Sequence, residues 1–244
     1  MKRYTPNQIA GMLQVSTTTL RRYEDQDLIP TVPRTPSNHR YYKEVHVQAF
    51  TTIRVLLQGY DIPVAYEVMR RMKQGQAEQA LWMINEQQYQ IHLEKKRVQD
   101  ILAMIRHTDI PSTLNAEWKT PMNIGEAAAI AGVKTSAIRH WEAEGLIRSE
   151  RNPENGFRMF SLAELRKILV ISSLRKTVYY IDNMRNLLST LDTRDHQEIE
   201  RSFQVALEKL NTRLMLQCKG IAEVVKYMNL LSLEKENPED KERS

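Results

Sequence analysis

The chain has 244 residues and carries 35 Lys/Arg against 30 Asp/Glu, a net charge of +5, and that length accommodates one or two domains. Its single cysteine, Cys218, excludes an internal disulfide and a thiolate-rich metal site. Met1-Lys2-Arg3 leads straight into polar sequence and no long apolar run follows, so a soluble, cytoplasmic protein is expected.

Thr5-Pro6-Asn7 reads as an N-cap with proline in the first turn. Ile9, Ala10, Met12 and Leu13 then form a short apolar face, and Val15 marks a turn. Ser16 or Thr17 can cap a second helix that buries Leu20 and Tyr23 and turns Thr18, Arg21 and Arg22 outward. Two short helices on a tight turn make a helix-turn-helix. Leu28-Ile29-Pro30 begins an extended piece. The turn-rich Pro33 to Asn38 follows, and His39-Arg40-Tyr41-Tyr42 returns extended, which describes a two-stranded wing. Two further helices are expected near 43–57 and 63–73, separated by Gly59-Tyr60.

Almost all of this stretch returns 118 residues later without a slip in register from Ile9/Ala127 to Tyr42/Phe160. Tyr23 becomes Trp141, Glu24 becomes Glu142, Arg21 becomes Arg139 and Arg40 becomes Arg158. The chain is a tandem duplication, and head 2 should repeat the helices near 161–176 and 181–191, with Thr177-Val178 between them. Gly11 and Gly132 fall at different positions of the repeat, so neither is assigned the helix-turn-helix turn. The expected division is head 1 at 1–75, a long helix at 76–107, a linker at 108–121, head 2 at 122–194, a second long helix at 195–233 and a disordered charged tail at 234–244.

Each long helix carries a heptad seam. Ala77, Leu81, Ile84, Gln88, Ile91, Lys95, Val98, Leu102 and Ile105 step alternately by four and three. Phe203, Leu207, Leu210, Leu214, Gln217, Ile221, Val224, Met228 and Leu231 do the same. A helix lying on its own head is the rival to a coiled coil. Gln88, Lys95 and Gln217 weaken the seams and fix pairing or register. The expected fold is therefore mostly α: two winged helix-turn-helix heads, each followed by a long coiled-coil helix, the two helices paired antiparallel.

This order of elements, with Thr19-Leu20-Arg21-Arg22-Tyr23-Glu24 and Asn38-His39-Arg40-Tyr41-Tyr42, resembles the MerR family of bacterial transcription regulators. Its heads carry a Thr-Leu/Ile-Arg-Tyr-Tyr-Glu run and later a Gly-Tyr-Arg-x-Tyr run. Ala137-Ile138-Arg139-His140-Trp141-Glu142 and Gly156-Phe157-Arg158-Met159-Phe160 repeat both runs. The first of the paired tyrosines, a phosphate contact by this resemblance, is Arg22 in one head and His140 in the other; both can donate to phosphate. Asn38 stands in for the wing glycine, which Asn tolerates because it enters left-handed conformations readily.

In a winged helix-turn-helix the second helix enters the major groove. Thr17, Thr18 and Arg21 of head 1, and Lys134, Thr135, Ser136 and Arg139 of head 2, then face bases or nearby phosphates. On the wings, Arg34, His39 and Arg40, and Arg151, Asn152 and Arg158, would hold the flanking backbone. Arg22, His140 and Tyr23 complete the candidates, although Tyr23 and Trp141 read more naturally as core aromatics. Arg21 and Arg139 have a rival role in pairing with Glu24 and Glu142 along the helix. Because the heads differ, the expected target is two unlike half-sites.

Single-head relatives pair through antiparallel long helices, whereas here one chain owns both heads. The 14-residue linker could reach ~46 Å at ~3.3 Å per residue, which permits a single-chain pseudo-dimer and favours a monomer. The expected partners are double-stranded DNA and RNA polymerase, with no membrane, metal, cofactor or catalytic residue, and the expected location is the nucleoid. An architectural DNA binder is the alternative. A small-molecule sequestering protein on the same scaffold would tolerate loss of Arg21 and Arg139.

Overall fold

The structure is a computed structural model that describes residues 2–106, 121–175, 181–189, 191 and 197–236. The expected linker (bar Pro121), the Thr177-Val178 break and the chain beyond Glu236 lie outside these residues. The fold is mostly helical, as expected, and divides into two compact units, Met1–Ile91 with Asn211–Ser244, and His92–Leu210.

The first unit opens with α1 (Pro6–Leu13) and α2 (Thr17–Asp25). Thr5 caps α1 by accepting the Gln8 N–H while Gln8 reaches back to the Thr5 N–H, with Pro6 at the first helical position. Ser16 caps α2 by accepting the Thr19 N–H at 3.1 Å. Of the two expected caps, Ser16 is the one used. Main-chain bridges Tyr4↔Tyr42 and Arg34↔Arg40 form the small wing sheet. Next come α3 (Glu44–Gly59), α4 (Ile62–Lys73) and the first part of α5 (Ala77–Arg106). Ile9, Leu20, Tyr23, Leu28, Tyr42, Phe50, Ile53 and Leu56 fill the core of head 1.

The Asn211–Glu236 part of α10 (Gln197–Glu236) belongs to this same unit and packs on head 1. Val224 and Tyr227 are fully buried in the head 1 core cluster. The closest approach is at Gly59, where an added Cβ would lie 2.7 Å from the Gln217 nitrogen. At Gly220 a Cβ would meet Leu56 and Tyr60 at 3.1 Å. Small residues on both helices thus let α3 and α10 touch nearly backbone to backbone. Polar groups then fix the register. The Gln217 amide donates to Gly59 O at 3.2 Å, which satisfies a carbonyl in the last turn of α3. The Tyr60 hydroxyl donates to Gln217 O (3.3 Å), Gln48 donates to the Glu223 carboxylate (2.7 Å), and Thr52 donates to Glu223 O (3.2 Å). Burial would raise the Glu223 carboxyl, but hydrogen bonds from Lys226 and Gln48 outweigh it and hold the pKa below the ordinary value.

The second unit repeats the head. It comprises β1 (Met122–Asn123), α6 (Ile124–Ala131), α7 (Thr135–Ala143), β2 (Glu150–Arg151), β3 (Arg158–Phe160), α8 (Leu162–Leu174) and α9 (Ile181–Ser189). The sheet order is β1-β3-β2, antiparallel throughout. The pairing Met122↔Phe160 reproduces Tyr4↔Tyr42 at the repeat distance. This N-terminal strand adds a third member to the two-stranded wing expected from sequence. A strand of two residues is too short for its alternation to show.

Each heptad seam has four buried members: Ile84, Ile91, Val98 and Leu102 on α5, and Phe203, Leu210, Gln217 and Val224 on α10. Leu81 and Leu214 are 36% exposed instead. On α10, Gln217 and Val224 meet head 1, joined there by the off-seam Gly220 and Tyr227. In the Asn211–Glu236 part of α10 these seam residues therefore serve docking on head 1, a role the sequence assigned only to a helix on its own head.

Candidate nucleic-acid interface

Each head presents the N-terminal half of its second helix beside its wing. On α2, Thr18, Arg21 and Arg22 are exposed and Thr17 is half-buried; on α7, Ser136, Arg139 and His140 are exposed and Thr135 is half-buried, behind an exposed Lys134. Arg22 lies beside the Tyr23 ring, 5.7 Å from its centre. His140 sits 3.9 Å from the Glu144 carboxylate.

The acidic residues of these helices settle the rival role of Arg21 and Arg139. Glu24 takes Arg40 from the wing at 2.9 Å, and Glu142 takes Arg158 at 2.6 Å and also accepts from Ser149. Among the described residues no ion pair involves Arg21 or Arg139, and both stand in solvent. Arg40 and Arg158 were expected on flanking phosphates. Both are half-buried and clasp the wing to the recognition helix through Nε. The carboxylates respond accordingly. Burial pushes the Glu142 pKa up, but hydrogen bonds from Ser149 and Arg158 and the charges of Arg158 and Arg151 pull it below the ordinary value. The Glu24 hydrogen bond raises Arg40 against the opposing effect of burial.

Tyr23 is 1% exposed and makes an edge contact with Tyr66 at 6.2 Å and a tilted contact with Phe50 at 6.3 Å, the core placement that the sequence favoured over a DNA contact. Trp141 is buried likewise.

The wing tips differ. In head 1, Thr35 N–H donates to His39 O, Arg34 reaches the Asn38 side chain at 3.2 Å, and His39 Nδ1 lies 2.8 Å from Ser37 O. In head 2 the position of Thr35 is Pro153, which has no N–H to give. The donor moves back to Asn152, which bonds Phe157 O, and the tip widens by one residue. The Asn152 side-chain oxygen accepts the Glu154 N–H at 2.8 Å, so this residue builds the turn. Arg151 donates to Gly156 O at 3.1 Å.

One cleft of head 2 gathers three of the expected residues, Arg139, Arg151 and Arg158, with Phe157 and the Asn123-Ile124 start of α6. The sequence reading passed over Phe157, which is 65% exposed. It also passed over the glutamate partners of the wing arginines, although Glu24/Glu142 and Arg40/Arg158 repeat in step and that co-repetition was the available signal.

Free arginine on an outward second helix, clasped to a basic wing, defines the class: a winged helix-turn-helix nucleic-acid-binding fold. Residues 122–191 match the model of the MerR HTH family regulatory protein, and residues 5–42 match that of the MerR family regulatory protein. The HTH-type transcriptional regulator ZntR of Escherichia coli (strain K12) is 29% identical over 87 residues, 36% of this chain and 62% of ZntR. HmrR of Rhizobium leguminosarum bv. viciae is 34% identical over 74 residues, covering 30% and 57% of the two chains. CueR of Escherichia coli O6:H1 is 28% identical over 68 residues, covering 28% and 50%. The matches thus span half to three-fifths of these relatives' lengths. The two heads belong to the MerR family, and one chain carries both.

Proposed function

We propose that the chain is a sequence-specific regulator of transcription, binding double-stranded DNA at promoters through two unlike half-sites as a single-chain pseudo-dimer. The regulators named above, and the free Arg21 and Arg139 on the two recognition helices, support DNA as the ligand. RNA polymerase is the second partner of a promoter-bound regulator. Unlike half-sites follow from chemistry: head 1 offers Thr17, Thr18, Arg21 and Arg22 where head 2 offers Thr135, Ser136, Arg139 and His140. Arginine reads guanine, whereas threonine meets the thymine methyl.

The observation that carries the single-chain reading is the docking of Asn211–Glu236 on head 1. The helix that follows head 2 in sequence packs into the core of the other head. That arrangement joins the halves as a dimer's exchanged helices would, without a second copy.

Two measurements on the purified chain test this. Mass in solution should be near the 28.5 kDa of one chain; an obligate dimer overturns the pseudo-dimer. Sheared host DNA retained by the protein at near-physiological salt should yield a few promoter fragments with two different half-sites. Broad retention without a shared motif overturns promoter specificity, and no retention overturns DNA binding.

A further inference from the structure

We propose that the cleft between α4 and the start of α5 is a small-molecule site for an organic cation with an aromatic body, in which Glu86 holds the positive charge and Trp82, with Met83 and Val64, takes the aromatic part. The site uses no residue assigned to DNA and stands whether or not the protein binds DNA.

The cleft has a volume of about 500 Å³, ordinary for a ligand pocket, and lies wholly inside the first unit. Val64 and Arg71 line it from α4, and Gln79, Trp82, Met83 and Glu86 from α5. Its two charged ends differ in what is left to bind. Arg71 is held by Glu67 at 3.0 Å and by the Gln79 side chain. Glu67 is shared with Arg70 at 3.4 Å, so the positive charge left over stays at the end next to the turn. Glu86 lies seven residues beyond Gln79, about 10 Å along the helix and a Debye length away at ordinary salt. Its Oε1 accepts from Gln90 at 2.7 Å, and no cation pairs with it among the described residues. The Glu86 end therefore suits a cation.

The aromatic part points the same way. Trp82 stands one turn before Glu86 and Tyr89 one turn after it, on the same face of α5, and they are 65% and 53% exposed. A carboxylate between two uncovered aromatic rings is an arrangement that attracts a cation, through the charge and through the ring faces together. The repeat shows that the fold does not ask for it. The buried Ala80, Ile84 and Ile91 of α5 correspond to the buried Ile199, Phe203 and Leu210 of α10, 119 residues later. In that register Trp82, Glu86 and Tyr89 become Arg201, Val205 and Glu208. The second helix keeps the buried face and puts charges where the rings were and an apolar side chain where the carboxylate was.

The test is calorimetric titration of the full chain with N-methylquinolinium, beside naphthalenesulfonate, an anion with the same two-ring body. The cation should bind and the anion should not. Trp82→Ala should weaken the cation about tenfold and Glu86→Gln about three- to tenfold, while Trp82→Phe keeps most of the affinity. Both residues are exposed, so the denaturant midpoint of head 1 should stay unchanged in all three variants. A wild type that binds neither probe overturns the site, and one that binds both equally overturns its preference for a cation. Cation binding that survives both Trp82→Ala and Glu86→Gln lies elsewhere and overturns the assignment. A wild-type mass of two chains that falls to one in Trp82→Ala shows an interface between copies and overturns the small-molecule reading.

Discussion

Head 2 turns its chain at Gly132, Gly145 and Gly156, and head 1 makes the same three turns, 118 residues earlier, with Gln14, Asp27 and Asn38. All six residues have φ between 51° and 70°. Glycine adopts that region freely, whereas a side chain there costs ~1–2 kcal/mol, less for Asn and Asp. Head 1 therefore holds the same backbone against a cost that head 2 avoids. It recovers part of it locally: Asp27 pairs with Lys73, and Asn38 receives Arg34. Head 1 is also packed by the Asn211–Glu236 part of α10.

The sharpest way to break that comparison is at Gly59. Gly59→Ala places a Cβ against the α10 backbone at Gln217, where neither side has a flexible end to give way. Overpacking of this kind costs ~2–3 kcal/mol. Head 1 should lose that stability in denaturant while head 2 keeps its own midpoint. An unchanged head 1 midpoint would mean that α10 does not dock there in solution.

The clasps come next, at ~1–2 kcal/mol each for a half-buried charged hydrogen bond. Arg40→Met and Arg158→Met should loosen the wings of heads 1 and 2 respectively, read as faster amide exchange at the wing. The heads should also separate by pH, because equivalent residues do different work. His46 accepts the Lys43 N–H at Nδ1 (3.0 Å) and so donates from Nε2 to Thr31 O (3.1 Å), a neutral imidazole joining α3 to the first wing segment. Burial, ahead of the opposing hydrogen bonds, holds its pKa below 6.5. Its contribution is therefore complete above the unfolded value and is lost as pH falls from there through the lowered folded value. At the equivalent place in head 2, Glu164 accepts the Arg148 N–H at 2.7 Å. Head 2 depends instead on Glu142, whose lowered pKa keeps its contribution until pH falls below the ordinary carboxylate range. Acidification should soften head 1 first; His46→Gln should remove that early step, and simultaneous softening of both wild-type heads would refute the assignment.

The parts of this architecture legible in sequence were those that repeat or alternate. The Thr5-Pro6 cap, the buried Leu20 and the helices near 43–57 and 63–73 all follow from local chemistry, and the structure places them at 44–59 and 62–73. The left-handed place of Asn38 was readable from its glycine twin, Gly156. The twin of Gly132 was missed because Gly11, the nearby glycine, is not its equivalent; Gln14 is, and nothing in a glutamine advertises positive φ. The docking of α10 was beyond reach for a different reason. A heptad says that a helix face is buried but not by what, and the deciding feature, Gly59 against Gln217, is a contact between residues 158 positions apart. The wing clasps were within reach, since both partners repeat in register, but the nearer i,i+3 arginine drew the glutamates first.

A smaller effect separates structure from binding at the start of the two recognition helices. Ser16 caps α2, but its equivalent Lys134 caps α7 with no side-chain hydrogen bond and sets a cation at the positive end of the helix dipole. That choice costs head 2 ~1 kcal/mol relative to serine. Lys134→Ser should raise head 2 stability by about that much and weaken DNA binding, since a cation beside the groove is lost. A variant that gained stability and kept full affinity would show that Lys134 is no DNA contact.

The smallest change returns to the left-handed turns. Gln14→Gly should stabilise head 1 by ~0.5–1 kcal/mol, because it removes a Cβ penalty at φ 51° and disturbs no described side-chain hydrogen bond. Asn38→Gly should give less, since Asn tolerates φ 61° and its side chain accepts from Arg34 at 3.2 Å, a bond the glycine forfeits. The order of the two is the test. If Asn38→Gly stabilises more than Gln14→Gly, the penalty lies in the wing and not in the helix-turn-helix, and the strain assigned to head 1 sits in the wrong place.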